Sequence, residues 1–146
     1  MNEITITTAT PDDVLGIAKI EKASFSTPWS ENAIRESMDA KTHFYVARLD
    51  SLVIGYMGIS TICGEGYVTN VAVLPEYRRL GAGQKILEHV INSLKDELEF
   101  ISLEVRVSNA PAIALYEKFG FQNVGIRKRF YTHPDEDAMI MTKNSF

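Results

Sequence analysis

The stretch between residues 71 and 98 constrains the fold of this chain more than any other part of the sequence. Val71-Ala72-Val73 has the apolar, β-branched character of a strand, and Pro75 follows it closely. From Gly81 onward, apolar residues recur at helical spacing, which predicts a helix over Gly81–Leu98. A strand, a glycine-containing loop and a long helix therefore follow one another, and this order predicts a β-loop-α unit.

Strands and helices account for most of the remaining sequence. Strands are predicted over Ile4–Thr8, Phe44–Leu49, Leu52–Ile62, Tyr67–Leu74, Phe100–Val107, Val124–Arg127 and Ala138–Met141. Further helices are predicted from Thr10-Pro11, from Ser30 toward Met38, and over Pro111–Phe119. Because helices alternate with strands in the second half, we expect β-α-β units and a partly parallel sheet there.

The length and composition of the chain limit the classes of protein that it can belong to. Its 146 residues are enough for one compact domain, which we expect to span residues 1–146. A hydrophobic fraction of 45% is typical of a soluble protein, and no apolar run is long enough to cross a bilayer. Cys63 is the only cysteine and Met1–Thr5 is unlike a signal peptide, so we expect a cytoplasmic protein. The net charge of −4 disfavours binding to nucleic acid, and the three scattered histidines do not have the spacing of metal ligands.

The loop Arg78–Gly83 has the features of a phosphate site. The first N–H groups of a helix have no intrahelical partner, the helix dipole adds partial positive charge, and glycines let a phosphate approach the backbone. Two well-known phosphate loops do not fit. Walker A requires Lys-Ser/Thr after its last glycine, and a dinucleotide fingerprint requires a third glycine where Ile86 stands. On these residues alone, a phosphate site and a glycine-rich turn with two solvated arginines are both open.

The residues on both sides of this loop extend the pattern. Val71–Gly83 contains a strand ending in Val-Ala-Val, then a proline, then Arg-x-x-Gly-x-Gly at the start of a helix, and Asn109 and Ala114–Phe121 follow. This combination resembles the GNAT superfamily of N-acetyltransferases. The resemblance implies an α/β (α+β) fold with a mixed, mostly antiparallel central sheet of about seven strands and about four helices on its faces. It also implies that the sheet is parallel and splayed at strands 4 and 5.

The resemblance further implies that acetyl-CoA is the acetyl donor, with no metal, and that this region binds it. The backbone of Val71, Ala72 and Val73 would pair with the pantetheine arm as if with another strand. The pyrophosphate would be held by Arg79, Leu80, Gly81, Ala82, Gly83 and Gln84. Asn109 would hydrogen-bond the arm, and capping of the helix that follows it is an alternative and compatible role.

Glu104 is the candidate general base. It lies in the predicted strand Phe100–Val107, where alternation places it on the same face as Ser102 and Arg106. Acetyl transfer to an amine requires a base, because an α-amine is mostly protonated at neutral pH. The resemblance and the cost of burying an unpaired carboxylate favour this role. A surface carboxylate paired with Arg106 is the alternative.

Tyr116 is the candidate general acid. In related acetyltransferases a tyrosine at this place protonates the leaving thiolate, and the resemblance implies the same here. Its spacing of three residues from both Ile113 and Phe119 also suits an aromatic residue that only packs in the core. Cys63 has no histidine in a recognisable arrangement, so we expect direct transfer without an acyl-enzyme.

Four further stretches bear on the acceptor. They are Phe25–Ser30, Leu103–Asn109, Arg127–Tyr131 and Glu136–Met141. They resemble the RimI-type branch of the superfamily, which acetylates the N-terminal alanine of a small-subunit ribosomal protein. The resemblance implies that the N-terminal peptide of such a protein is the substrate, with Trp29 and Tyr131 lining the peptide site. Phe130 departs from this branch, in which a second tyrosine is common beside Tyr131. Separately, we expect the enzyme to be a monomer.

Other readings of these residues are open at this point. The acceptor could be a lysine side chain, a polyamine or an antibiotic. The chain could also be an acetyl-CoA-binding module without catalysis, although such a module needs neither Glu104 nor Tyr116. Trp29 and Tyr131 could be packing residues, with Trp29 filling the space between two helices.

Overall fold

The computed structural model describes residues 3–40 and 42–146, which form seven strands and four α-helices. The strands are β1 (Ile4–Thr8), β2 (His43–Leu49), β3 (Leu52–Ile62), β4 (Glu65–Val73), β5 (Phe100–Arg106), β6 (Gln122–Tyr131) and β7 (Glu136–Lys143). The helices are α1 (Val14–Ser24), α2 (Glu31–Asp39), α3 (Ala82–Leu94) and α4 (Ala110–Lys118). None of the helices in these described ranges is long and apolar enough to span a membrane.

The seven described strands lie in one sheet, in the order β1-β2-β3-β4-β5-β7-β6. The pairs β1–β2, β2–β3, β5–β7 and β6–β7 are antiparallel, whereas β4 and β5 are parallel. The parallel register runs from Glu65 opposite Phe100 to Tyr67 opposite Ser102. The mixed, mostly antiparallel sheet predicted from the sequence is therefore confirmed, with its parallel pair at strands 4 and 5.

Several element boundaries differ from those predicted. Helix α3 ends at Leu94 rather than Leu98, because Leu98 is buried after a turn and does not continue the helical stripe. Strand β4 begins at Glu65, two residues before the predicted start. Strands β6 and β7 are both longer than predicted, because polar and charged residues extend them. Strand β6 is exposed along nearly all of its length, so it lacks the apolar alternation that reveals a half-buried strand.

The chain divides into two compact units. The first comprises Met1–Ser60 and Thr69–Leu94, and the second comprises Thr61–Val68 and Lys95–Phe146. In the first unit, side chains of α1, α2, β2 and β3 form an apolar cluster, and α3 packs against β1 and β2. In the second unit, the buried side chains include Ile101, Leu103, Val105, Tyr116, Phe121, Ala138 and Met141. Each unit carries part of the predicted site.

Candidate active site

The loop between β4 and α3 contains two residues in the left-handed region of backbone conformation. Arg79 has a φ of 68° and Gly81 has a φ of 86°. A left-handed arginine is uncommon, and residues held in such conformations concentrate at functional sites. The N–H of Lys85 donates to the carbonyl of Gly81 at 3.0 Å, so Gly81 immediately precedes the first turn of α3.

The backbone at the start of α3 is accessible to a ligand. A Cβ placed on Gly81 would meet no heavy atom within 4 Å, so open space lies beside the chain there. The N–H groups of Ala82 and Gly83 precede the first intrahelical hydrogen bond and lie at the positive end of the helix dipole. Arg79 and Leu80 are exposed next to them, and Gln84 is half-buried in the same turn. This combination can hold an anionic group, as the sequence predicts for this loop.

The side chain of Arg78 connects this loop to the end of β4. Its Nε donates to the carbonyl of Val73 at 3.1 Å, which ties the loop to the end of β4. Leu74, which follows Val73, donates its N–H to the carbonyl of Ile54 at 2.7 Å. Val71, Ala72 and Val73 are half-buried on β4, where the sequence predicts that their backbone meets the pantetheine arm.

Glu104 lies in the middle of β5, whose residues alternate between buried and half-buried. Its side chain is 31% exposed, on the face predicted from the alternation. The predicted alternative partner, Arg106, pairs instead with Glu136 at 3.2 Å. The cation beside Glu104 is Arg127, whose Nη1 lies 3.9 Å from Oε1. A pair this long between partly exposed groups is weak, so Arg127 does not hold the carboxylate firmly.

Tyr116 and Tyr131 lie close enough to each other for one to influence the ionisation of the other. Burial raises the pKa of Tyr116 to about 12, and Tyr131 adds to the shift. Burial also raises the pKa of Tyr131 to about 12, and the negative charge of Glu104 adds to that shift while Arg106 opposes it. Tyr131 thus lies within electrostatic reach of both Tyr116 and Glu104 in the second unit, and both phenols are protonated at neutral pH.

Asn109 begins α4 as a helix cap. Its Oδ1 accepts a hydrogen bond from the N–H of Ala112 at 3.3 Å, so the capping role considered from the sequence is confirmed. The cap uses the amide oxygen of an exposed side chain, whereas a hydrogen bond donated to a pantetheine carbonyl would use the NH2 group. The two roles are therefore compatible.

Trp29 belongs to the first unit, where a buried carboxylate holds its backbone. Oε1 of Glu21 accepts the N–H of Trp29 at 2.8 Å, and Oε2 accepts the hydroxyl of Tyr56. The Trp29 side chain is half-buried against the apolar cluster, in agreement with a packing role. A shallow groove of about 620 Å³ lies beside it, lined by Pro28, Ser30, Ala33, Glu36, Ser37 and Ala40.

Two residues that organise these features were not singled out from the sequence. Glu21 lies on the buried face of α1, and a carboxylate at the spacing of Val14, Ile17 and Ala18 was the signal that could have revealed it. Glu136 has no comparable local signal, because its partner Arg106 lies 30 positions earlier in the chain.

The sequence from residue 14 to residue 121 matches the acetyltransferase (GNAT) family. This chain belongs to that family. The resemblance inferred from Val71–Gly83 and the residues that follow is thereby confirmed, and with it the prediction that the protein is an acetyltransferase.

Several named N-acetyltransferases resemble the chain over nearly its whole length. A Bacillus subtilis protein provisionally named ribosomal protein bS18-alanine N-acetyltransferase is 38% identical, over 89% of this chain and 88% of that protein. An N-alpha-acetyltransferase of Saccharolobus solfataricus is 36% identical, over 97% of this chain and 93% of that protein. The crystal structure of the ribosomal-protein-S18-alanine N-acetyltransferase from Escherichia coli superposes with a TM-score of 0.90 at 33% identity, covering 99% of this chain and 96% of that one.

Proposed function

We propose that this GNAT-family enzyme transfers the acetyl group of acetyl-CoA to the N-terminal alanine of a small-subunit ribosomal protein. The observation that carries the proposal is that Tyr131 lies within electrostatic reach of both Glu104 and Tyr116 in the second unit. A half-exposed carboxylate and a buried, protonated phenol are the base and the acid that transfer from a thioester to an amine requires. The choice of acceptor is supported by the names of the Bacillus subtilis and Escherichia coli relatives.

Each catalytic group has one proton to move. Glu104 takes a proton from the α-ammonium of the acceptor, directly or through one water molecule. The neutral amine then attacks the thioester carbonyl, the nitrogen–carbon bond forms as the carbon–sulfur bond breaks, and the nitrogen releases its second proton to solvent. Tyr116 gives its proton to the leaving thiolate. Trp29 and Tyr131 line the peptide site on the acceptor side.

The residues proposed to bind acetyl-CoA lie on β4, in the loop before α3 and its first turn, and at the start of α4. Val71, Ala72 and Val73 pair with the pantetheine arm, and Asn109 donates a hydrogen bond to it. The residues proposed to hold the pyrophosphate are Arg79, Leu80, Gly81, Ala82, Gly83 and Gln84. The whole chain works as one catalytic domain and as a monomer in the cytoplasm, where ribosomal proteins and acetyl-CoA meet.

The variant Gly83→Trp is expected to weaken acetyl-CoA binding by about tenfold or more, because an indole in the first turn of α3 would fill the space that the pyrophosphate needs. Calorimetric titration with acetyl-CoA measures the effect. Asn92→Trp is the matched control, since it places the same ring on the exposed face of the same helix. Equal affinity of the two variants would contradict the assigned pyrophosphate site.

Mass spectrometry of acetylated peptides tests the proposed acceptor. One peptide begins with alanine and contains a single internal lysine, and its matched control has the same sequence with a blocked α-amine. We expect the first peptide to gain one acetyl group on its α-amine and the second to gain none. Labelling of the lysine in both peptides would instead indicate a side-chain acetyltransferase. Acetyl-CoA binding without labelling of either peptide would contradict a peptide acceptor and would leave a small-molecule acceptor or a binding module as the function.

A further inference from the structure

Arg106 lies at the end of β5 and contacts both β6 and β7. Its Nη1 donates to the carbonyl of Pro134 at 2.9 Å and lies 3.2 Å from Oε1 of Glu136. Its Nη2 donates to the carbonyl of Thr132 at 3.3 Å. The guanidinium carbon also lies 4.4 Å from the centroid of the Tyr131 ring. One side chain of β5 therefore holds the end of β6, the start of β7 and the turn between them.

Glu136 extends this connection to the start of α4. Its Oε2 accepts the N–H of Ser108 at 2.7 Å, directly before Asn109, which caps that helix. Hydrogen bonds from Ser108 hold the pKa of the Glu136 carboxyl below its usual value, and Arg106 contributes to the same shift. Glu136 is therefore ionised at neutral pH, and the pair Arg106–Glu136 joins β5, the β6–β7 turn and α4.

We propose that Arg106, acting with Glu136, is a positioning residue for the acceptor: the pair fixes Tyr131 beside the base Glu104. The inference rests on the proposed function, in which Tyr131 lines the peptide site. Arg106 and Glu104 are two residues apart on one face of β5. The Arg106–Glu136 pair therefore connects Tyr131, which lines the proposed peptide site, to the strand that carries the base. Arg106 acts through Tyr131 and the turn and takes no proton itself.

The chemistry of arginine explains why this position needs a guanidinium. Its planar fork can donate to two carbonyls and a carboxylate while its face lies over an aromatic ring. A lysine ammonium is a point charge that can keep the ion pair with Glu136 but cannot reproduce the fork and the ring contact together. Arg106→Lys should therefore restore only part of what Arg106→Met removes.

Arg48 provides a matched control in the first unit. It forms an ion pair with the buried carboxylate of Asp13 at 2.8 Å, and its side chain is 26% exposed against 29% for Arg106. Arg48→Met thus removes a comparable ion pair at a place that the proposed site does not use. Any effect common to both variants belongs to general stability.

The kinetic test compares the three variants Arg106→Met, Arg106→Lys and Arg48→Met with the wild-type protein on the alanine peptide. Arg106→Met is expected to raise the KM for the peptide about tenfold through loss of charge-assisted hydrogen bonds, and Arg106→Lys should raise it less. The dissociation constant for acetyl-CoA should stay within about twofold of wild type. Arg48→Met should leave both quantities unchanged. An unchanged peptide KM in Arg106→Met would overturn the positioning role.

Amide hydrogen exchange supplies a readout that does not depend on turnover. Arg106→Met should increase exchange at the amides of Ser108 and of residues 131–133, 135 and 136, whereas Arg48→Met should not. Unchanged exchange at these amides would overturn the inference even if the peptide KM rose. A wild-type protein that acetylates no α-amine would refute the proposed function instead, and hydrogen exchange alone would then decide whether the pair orders Tyr131 and the turn.

Discussion

The variant Glu104→Gln is expected to lose about 100- to 10,000-fold in kcat at neutral pH while still binding acetyl-CoA. The amide has nearly the same shape as the carboxylate but cannot accept a proton from an α-ammonium. It also removes the ion pair with Arg127, but that pair is long and partly exposed, so its loss should change stability little. The predicted loss therefore belongs to proton transfer rather than to folding.

The pH dependence makes this test specific for a base. An α-amine has a pKa of about 8, so more of the acceptor is neutral as the pH rises above that value and less proton removal is needed. The deficit of Glu104→Gln should accordingly shrink between neutral and alkaline pH. Glu117→Gln is the matched control, because Glu117 is an exposed carboxylate in the same unit. Turnover of Glu104→Gln equal to that of the control would remove Glu104 as the base.

Strand β5 shows how much of the site could be predicted from local sequence. The alternation of Ile101, Leu103 and Val105 predicts a strand and the face on which Glu104 lies, and the structure confirms both. This succeeds because side-chain direction in a strand depends only on neighbours along the chain. The glycine loop is predictable for a similar reason, since the left-handed conformation of Gly81 and the helix that follows are local properties.

The surroundings of Glu104 could not be predicted in this way. Arg127 approaches it from β6, an exposed strand that was predicted too short because its charged residues conceal the strand pattern. The pairing of β6 and β7 places Tyr131 opposite Glu136. Tyr131 thereby contacts Arg106, two residues after Glu104 on β5. Contacts between residues that are far apart in sequence follow from sheet register, which local periodicity does not determine.

Buried polar networks were the other feature that local reasoning did not reveal. Glu21 is placed on the apolar face of α1, and its partners Tyr56 and the backbone of Trp29 come from two other segments. Burial and the adjacent carboxylate raise the pKa of Tyr56, so its hydroxyl remains a donor. A buried carboxylate is tolerable only when such donors reach it, and this condition is met by the tertiary structure.

The variant Tyr116→Phe is expected to lower kcat about 100-fold or more while leaving the dissociation constant for acetyl-CoA nearly unchanged. Burial and Tyr131 raise the pKa of the Tyr116 phenol to about 12, so at neutral pH it holds the proton that a leaving thiolate needs. Phenylalanine keeps the ring, which lies 5.7 Å from that of Phe121, and removes only the hydroxyl. Rapid-mixing measurements of acetyl transfer, together with calorimetric titration of acetyl-CoA, give the two quantities.

Tyr116 is only 6% exposed, so it would also suit a purely structural role. The same variant can separate catalysis from packing. Urea unfolding of Tyr116→Phe should give a midpoint close to that of the wild-type protein, since the packed ring is retained. Tyr67→Phe is the matched control, because it removes a phenol hydroxyl in the same unit from an exposed side chain bonded to Glu65. A slow but stable Tyr116→Phe protein beside a fully active Tyr67→Phe protein identifies the acid. Normal turnover in both variants would show that Tyr116 serves the core alone and that the leaving thiolate does not need the Tyr116 proton.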